Sequence, residues 1–305
     1  MQLSVIIPTY KREKILQRTL DCLIPALKNF TSEILVINDS EDEVKFEKFD
    51  GKVYVFRNPQ KGAASARNFG VSKAQSKMLL FLDDDVLVNE KNILRIFELH
   101  AAYEKSAFNF HWYFPEDLIA ELPKTSFGRY LFHKKIYSQE SRLIDKNPKT
   151  KNGLVENFGI ASYFFSIEKE VFLSCDGYDE SIPFAGVEDI ILSKKLRDKG
   201  VNTFLSLSDV VFHNESDRMD LWQVMERYSR ASITMNAAVK SGHTEFDRKF
   251  RGSKKNIYSL CLPFRKPLYY FSKSIPNLKI FDLLYFKLVN LLLGVSSYKG
   301  YKESR

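Results

Sequence analysis

A run of five apolar residues that leads into three carboxylates is the chemically most informative stretch of the sequence. Met78–Leu82 is followed directly by Asp83, Asp84 and Asp85. The short apolar run is typical of a buried strand, and its carboxylates should emerge where the strand ends because unpaired charges are costly to bury. Adjacent carboxylates repel one another unless a cation lies among them, and hard divalent cations often bridge carboxylates to phosphates. The stretch is interpreted as a metal and diphosphate site, with a solvated acidic turn as the alternative.

The elements around this stretch alternate between strand and helix. Strands are expected at 3–7, 33–37, 53–56, 77–82, 108–114, 159–165 and 210–214, and helices at 12–28, 62–76, 89–103, 188–199 and 221–239. Short connections between alternating elements indicate an α/β fold with a doubly wound, mostly parallel sheet. Thr9, Asp39 and Asp83 follow the first, second and fourth strands, so they should meet at the ligand-binding edge of that sheet.

Three common kinds of nucleotide or metal site are excluded by spacing. No GxGxxG follows the first strand and no GxxxxGK[ST] occurs, which disfavours dinucleotide oxidoreductases and P-loop NTPases. An EF-hand loop counted from Asp83 would need Gly and Glu where the sequence has Val88 and Leu94. The carboxylates therefore need another explanation.

Four motifs in order resemble those of family 2 glycosyltransferases. They read VIIPTY at 5–10, VINDS at 36–40, NPQKGAASARNFG at 58–70 and LDDD at 82–85. A later segment, DGYDE at 176–180 followed by FAGVED at 184–189, is similar to the acceptor-side motif of the same family. The resemblance covers about residues 1–215. It implies the GT-A fold and transfer of a sugar from a nucleotide donor.

The resemblance also implies roles for particular residues. The nucleotide-binding residues it predicts are Pro8, Thr9, Tyr10, Asp39, Arg67, Asp83 and Asp84. A surface ion pair is the alternative for Arg67. Asp83 and Asp85 would form the metal-binding motif for Mn²⁺ or Mg²⁺, with Asp85 as the direct ligand and His213 completing the site. A surface histidine is the alternative for His213.

Sugar transfer requires a base, because a hydroxyl is a poor nucleophile until its proton is accepted. The resemblance assigns this role to Asp189, with Glu188 as the second candidate or as a residue that orients the acceptor. Acidic residues at the start of a helix are also favoured by the helix dipole, which is the alternative reading of this pair.

The net charge of +8 is concentrated in the last 65 residues. Residues 241–305 contain 13 Lys/Arg and 4 Asp/Glu, whereas residues 1–240 contain 33 and 34. Within the tail, the polar residues of 278–295 fall in an arc of roughly 140° on a helix, so that helix is expected to lie in a bilayer interface or to pack on the domain. The polar residues are Lys279, Asp282, Lys287 and Asn290.

The predicted organisation is a GT-A domain over 1–240, with a nucleotide-sugar half at 1–105 and an acceptor half at 106–240, and a helical, membrane-proximal appendage over 241–305. Three scattered cysteines and no recognisable leader indicate a cytoplasmic protein, here expected on the cytoplasmic face of the inner membrane.

The predicted function is that of an inverting glycosyltransferase in surface polysaccharide biosynthesis. A UDP-sugar is the expected donor, a hydroxyl of a glycan or lipid-linked saccharide the acceptor, and an anionic membrane a further partner. The first alternative is a catalytically inactive membrane-bound scaffold of the same fold. The second is a nucleic-acid-binding protein that uses the basic tail; without a recognisable nucleic-acid module, no nucleic-acid partner is expected.

Overall fold

The computed structural model describes residues 2–44, 52–139 and 150–305, and within these ranges nine strands form one mixed sheet. The strands are β1 (Leu3–Thr9), β2 (Ser32–Asn38), β3 (Val53–Arg57), β4 (Met78–Leu82), β5 (Val86–Leu87), β6 (Ser106–Tyr113), β7 (Leu154–Glu156), β8 (Phe164–Glu168) and β9 (Asn202–His213). The helices are α1 (Glu13–Ala26), α2 (Ala63–Lys73), α3 (Glu90–Ala102), α4 (Glu116–Glu121), α5 (Ser126–His133), α6 (Lys169–Ser174), α7 (Glu188–Asp198), α8 (Leu221–Lys240), α9 (Gly252–Cys261), α10 (Arg265–Ser274) and α11 (Asp282–Ser304).

The sheet is mostly parallel, as the alternation of elements predicts. Its strands lie in the order β3-β2-β1-β4-β8-β6-β9-β5, and β7 pairs with β9. Neighbours are parallel within β3-β2-β1-β4 and between β6 and β9. The strands β8, β5 and β7 run antiparallel to their neighbours. Six of the nine described strands therefore point the same way, and β1, β2 and β4 end at a common edge.

Close packing of α2 on the sheet fixes this edge. A Cβ added at Gly70 of α2 would lie 2.4 Å from Cγ2 of Ile6 in β1, so only glycine lets the helix approach so closely. On β4, the ring of Phe81 contacts the rings of Phe165 and Phe172 at centroid distances of 5.5 and 5.1 Å. These buried contacts hold β4, and therefore the carboxylates that follow it, in a fixed position.

Two strands differ from their predicted bounds by more than two residues at one end or both. The strand expected at 159–165 begins only at Phe164, because the backbone amides of Ile160 and Ala161 donate to the side chains of Ser193 and Asn109 instead of to a neighbouring strand. The strand expected at 210–214 is the end of β9, which begins at Asn202. The pairing of β9 with β6 shifts its register inside β9. The polar residues of β9 at this shift form a pattern that is typical of a loop in the sequence.

The described chain divides into two compact units. The first contains the sheet and comprises residues 2–44, 52–114, 150–180 and 188–214. The second comprises 115–139, 181–187 and 215–305. In the second unit, a Cβ added at Gly300 of α11 would lie 2.0 Å from the backbone oxygen of Ser229 in α8. Because α8 packs so closely on α11, the division differs from the boundary expected after residue 240.

The polar arc predicted for residues 278–295 partly faces protein rather than solvent. Arg129 of α5 donates to Asp282 at 2.7 Å, and the hydroxyl of Tyr130 donates to Asn290 at 2.9 Å. The helical periodicity of the sequence shows which residues share a face of the helix. Only the structure shows that polar partners on α5 cover part of that face.

Candidate active site

The three carboxylates follow β4 at the ligand-binding edge of the first unit, and they differ in exposure. The side chain of Asp83 is 32% exposed, whereas those of Asp84 and Asp85 are 7% and 0% exposed. The turn that carries them is closed by a hydrogen bond of 3.2 Å from the amide of Val86 to the carbonyl of Asp83. Only Asp83 can therefore be reached readily from solvent.

Pairing of β5 with β9 brings His213 to the acidic turn. Val86 lies opposite His213 in this antiparallel pair, and the amide of Asn214 donates to the carbonyl of Asp85 at 2.7 Å. As a result, Nε2 of His213 lies 2.8 Å from Oδ1 of Asp85. The residue expected to complete the metal site is thus placed beside the expected direct ligand.

Asp83, Asp85 and His213 form a cluster that could hold a metal ion. One ligand atom from each lies within 4.8 Å of the other two. The rings of Trp112 and Tyr163 pack against the His213 imidazole at centroid distances of 5.3 and 6.1 Å. Two carboxylates and one imidazole suit a hard or borderline divalent cation such as Mn²⁺ or Mg²⁺, so the residues present fit the predicted cofactor.

Arg12 compensates the two buried carboxylates and was not recognised from the sequence. Its guanidinium donates to Oδ1 of Asp84 and, at 2.8 Å, to Oδ2 of Asp85. The hydroxyl of Thr9 donates to the other oxygen of Asp84 at 2.7 Å. Thr9 and Asp84, both expected near the nucleotide, therefore bond to each other. The sequence carried a signal for Arg12, because two adjacent buried acids require a cation and Arg12 follows β1, which ends at the same edge of the sheet as β4.

Asp39 lies beside Thr9, as the parallel pairing of β1 and β2 predicts. Its amide donates to the carbonyl of Thr9 at 2.9 Å. Its Oδ1 accepts a hydrogen bond of 2.7 Å from Asn58 and one of 3.1 Å from the amide of Gly62, just before α2. Asn58 is a second positioning residue that the sequence did not single out. Of the other residues expected around the base, Pro8 is half-buried and Tyr10 is exposed.

Arg67 connects the acidic turn to the start of α7. This buried residue of α2 donates to Asp83 at 3.0 Å and to Glu188 at 3.4 Å. The ring of Tyr178 lies 5.4 Å from the guanidinium carbon, and Asn68 holds Tyr178 through its backbone amide and carbonyl. Arg67 is thus a buried ion-pair partner within the site, and the surface ion pair considered from the sequence is wrong.

Asp189 lies at the start of α7, and its two carboxylate oxygens have different surroundings. Its Oδ2 accepts hydrogen bonds from the amide and hydroxyl of Ser162 at 3.1 and 3.2 Å. The residue is half-buried, but Oδ1 is shielded from solvent and has no hydrogen-bond partner within the described ranges. Burial, and then repulsion from Glu188, raise the pKa of Asp189 to about 7, although Arg67 acts in the opposite direction. A carboxylate with such a pKa is matched to base catalysis near neutral pH.

A family comparison agrees with this arrangement. The model of glycosyl transferase family 2 matches residues 4–172, more than half of the chain. This chain belongs to glycosyl transferase family 2. The resemblance noted from its motifs is therefore confirmed, and the match includes the three carboxylates and Arg67.

The chain also resembles curated glycosyltransferases over shorter stretches. It is 37% identical over 92 residues to an uncharacterized glycosyltransferase of Rickettsia bellii, covering 28% of this chain and 13% of that protein. It is 32% identical over 108 residues to the minor teichoic acid biosynthesis protein GgaB of Bacillus subtilis, covering 32% and 12%. An uncharacterized glycosyltransferase of Haemophilus influenzae is 36% identical over 98 residues, covering 29% and 38%. The chain thus spans less than two fifths of each of these relatives.

A solved structure shows the same fold. The crystal structure of GalNAc-T7 with UDP, GalNAc and Mn²⁺ matches 94% of this chain and 54% of its own, with a TM-score of 0.53 and 17% sequence identity. This likeness confirms the predicted GT-A fold of the family 2 chain.

Proposed function

We propose that this chain is a metal-dependent, inverting glycosyltransferase. Its donor would be a nucleoside-diphosphate sugar, in the first place a UDP-sugar. Its acceptor would be a hydroxyl of a glycan or lipid-linked saccharide in surface polysaccharide biosynthesis. Support for the acceptor class comes from the similarity to a teichoic acid biosynthesis protein, and support for UDP from the fold shared with an enzyme solved with UDP.

The observation that carries this proposal is the link between the candidate base and the candidate metal cluster. Arg67 bonds both to Asp83 of the cluster and to Glu188, the residue next to Asp189. The buried guanidinium holds these two acids, while burial and the neighbouring Glu188 raise the pKa of the Asp189 carboxyl group. Transfer of a sugar to a hydroxyl requires a base that accepts the hydroxyl proton and, in this proposal, a cation beside it.

In the proposed reaction, the carboxylate of Asp189 accepts the proton of the acceptor hydroxyl as the hydroxyl oxygen attacks the anomeric carbon. The bond from that carbon to the nucleoside diphosphate breaks in the same displacement, so the anomeric configuration inverts. Ser162 orients the carboxylate through Oδ2. A divalent cation held by Asp83, Asp85 and His213 would offset the negative charge that develops on the leaving diphosphate.

The test is hydrolysis of UDP-, GDP- and dTDP-sugars with Mn²⁺, with Mg²⁺ and with EDTA. We expect turnover of at least one UDP-sugar, and EDTA or Asp85→Asn should lower it by at least about tenfold. Asp198→Asn is the matched control, because Asp198 is an exposed residue at the end of α7.

Each part of the proposal can fail separately. Turnover at the normal rate in EDTA would exclude the metal-dependent mechanism. If no nucleotide sugar is hydrolysed and none raises the unfolding temperature, the donor class is wrong and the inactive scaffold is favoured, because a ligand that binds the folded state must stabilise it.

A further inference from the structure

Exposed apolar side chains are concentrated in one part of the second unit. Of the 19 large hydrophobic side chains that are exposed in the described part of the chain, nine lie between residues 257 and 284. Leu260, Leu283 and Ile280 are 73%, 69% and 81% exposed. We call the nine together the apolar surface: Ile257, Leu260, Phe264, Tyr270, Phe271, Leu278, Ile280, Leu283 and Leu284.

The elements that carry the apolar surface pack on one another. Helix α11 contacts both α9 and α10, and it also contacts the short 3₁₀ turns 262–264 and 279–281. Ile257 and Leu260 are one turn apart on α9, and Leu283 and Leu284 are adjacent at the start of α11. Such a concentration of exposed apolar residues marks a site of interaction rather than ordinary surface.

The same segment is strongly basic. Between residues 251 and 287 the only acid is Asp282, which is engaged by Arg129 at 2.7 Å. Seven basic side chains of this segment are exposed: Arg251, Lys254, Lys255, Lys266, Lys273, Lys279 and Lys287. Exposed apolar residues interspersed with lysines match the interfacial region of a bilayer that carries anionic headgroups.

Contacts within the second unit favour a helix that lies on a membrane over one that crosses it. Lys279–Ser304 is long and apolar enough to span a bilayer by length and composition, and an 18-residue window within it has a mean hydropathy of 1.5. However, 44% of that window is buried. Asn236 of α8 donates to the carbonyl of Tyr301 at 3.0 Å, and buried Arg265 of α10 donates to Ser296 at 2.9 Å. Insertion of α11 across a membrane would break these hydrogen bonds.

We propose that the apolar surface binds the interface of a bilayer with anionic headgroups, as a peripheral contact. The lipid contact then lies on α9, α10 and the first turn of α11, while Val289, Leu292 and Val295 remain in the core of the second unit. This surface would hold the protein on the cytoplasmic face of the inner membrane, the location predicted from the sequence. A lipid-linked acceptor would be within reach there.

The test is co-sedimentation of the full chain with vesicles of phosphatidylcholine alone and with about 30% phosphatidylglycerol. The wild type should bind the anionic vesicles more tightly, and salt should weaken that binding. The triple variant Leu260→Ser, Ile280→Ser and Leu283→Ser should bind them at least about tenfold more weakly. Because the three side chains are largely exposed, the variant should keep the unfolding temperature of the wild type.

The matched control is the double variant Leu94→Ser and Leu173→Ser, which changes exposed leucines of the first unit and should bind vesicles as the wild type does. Equal binding by the triple variant, or no binding by the wild type, would overturn the proposal. So would a concentration-dependent dimer that the triple variant abolishes, or binding of a single-stranded oligonucleotide in place of vesicles. None of these readouts depends on sugar transfer.

Discussion

Replacing Asp189 by Asn removes a charge from the candidate active site but keeps the shape of the side chain. In the wild type, the carboxylate lies at the start of α7 next to buried Glu188, and among the described residues only Oδ2 accepts hydrogen bonds. An Asn side chain can still accept a hydrogen bond from the amide of Ser162 through its own oxygen. We therefore expect the variant to fold and to be more stable than the wild type at neutral and alkaline pH.

The magnitude follows from the pKa of Asp189. In the folded protein, burial and then Glu188 raise this pKa from 3.8 to about 7, so the folded state binds the proton more tightly than the unfolded chain does. The wild type must therefore lose stability as the pH rises through this range. Well above pH 7 the loss has an upper limit of about 4 kcal/mol, and Asn avoids it because it does not ionise.

The assay is urea unfolding followed by tryptophan fluorescence. Trp112 lies in the first unit and Trp222 in the second, so a Trp222→Phe background reports on the unit that contains Asp189. The stability advantage of Asp189→Asn should grow between about pH 5 and about pH 8. Asp198→Asn, an exposed change on the same helix, should show no such trend.

The same variant tests catalysis. Sugar transfer should fall by about 10²–10⁴-fold, and nucleotide affinity should remain unchanged, because the base acts on the acceptor. In the wild type, the rate should rise with pH through about 7 as Asp189 ionises. A stability difference that is independent of pH would refute the raised pKa. Loss of nucleotide affinity with an unchanged kcat would show that another residue is the base.

Two further predictions concern packing. Arg12→Gln removes the cation between two buried carboxylates, so it should destabilise the first unit by about 3–5 kcal/mol, measured by urea unfolding. Added Mn²⁺ should restore part of the lost stability. Unchanged stability would contradict the ion-pair role. Gly300→Ala should lower the unfolding temperature of the second unit although alanine favours helices, because the new Cβ would lie 2.0 Å from the carbonyl oxygen of Ser229. Gly159→Ala is the control, because its Cβ would have only an ordinary contact at 3.7 Å, and equal behaviour of the two variants would contradict close helix packing.

The sequence alone determined the architecture and named most of the acidic residues that the structure brings together. Alternating apolar strands and helices predicted the mostly parallel sheet, because this pattern is local and needs no knowledge of long-range contacts. Polar residues at or just after the ends of β1, β2 and β4 predicted which side chains meet at one edge, since parallel strands end together. The preference for Asp189 over Glu188 came from the family resemblance and stays a prediction.

Only the tertiary structure decided how these residues are paired. Arg12 reaches Asp85, 73 residues later in the chain, and His213 reaches the same residue from 128 positions away. Local patterning carries no information on such contacts, because they depend on the pairing of β5 with β9 and on the packing of α1 against β5. The same holds for α11: its sequence indicated a helix that lies in a bilayer interface or packs on the domain, and close approach of α8 at Gly300 helped decide which of its apolar residues are buried. Helical phase sorts residues by face, whereas burial of a face depends on a partner from elsewhere in the chain.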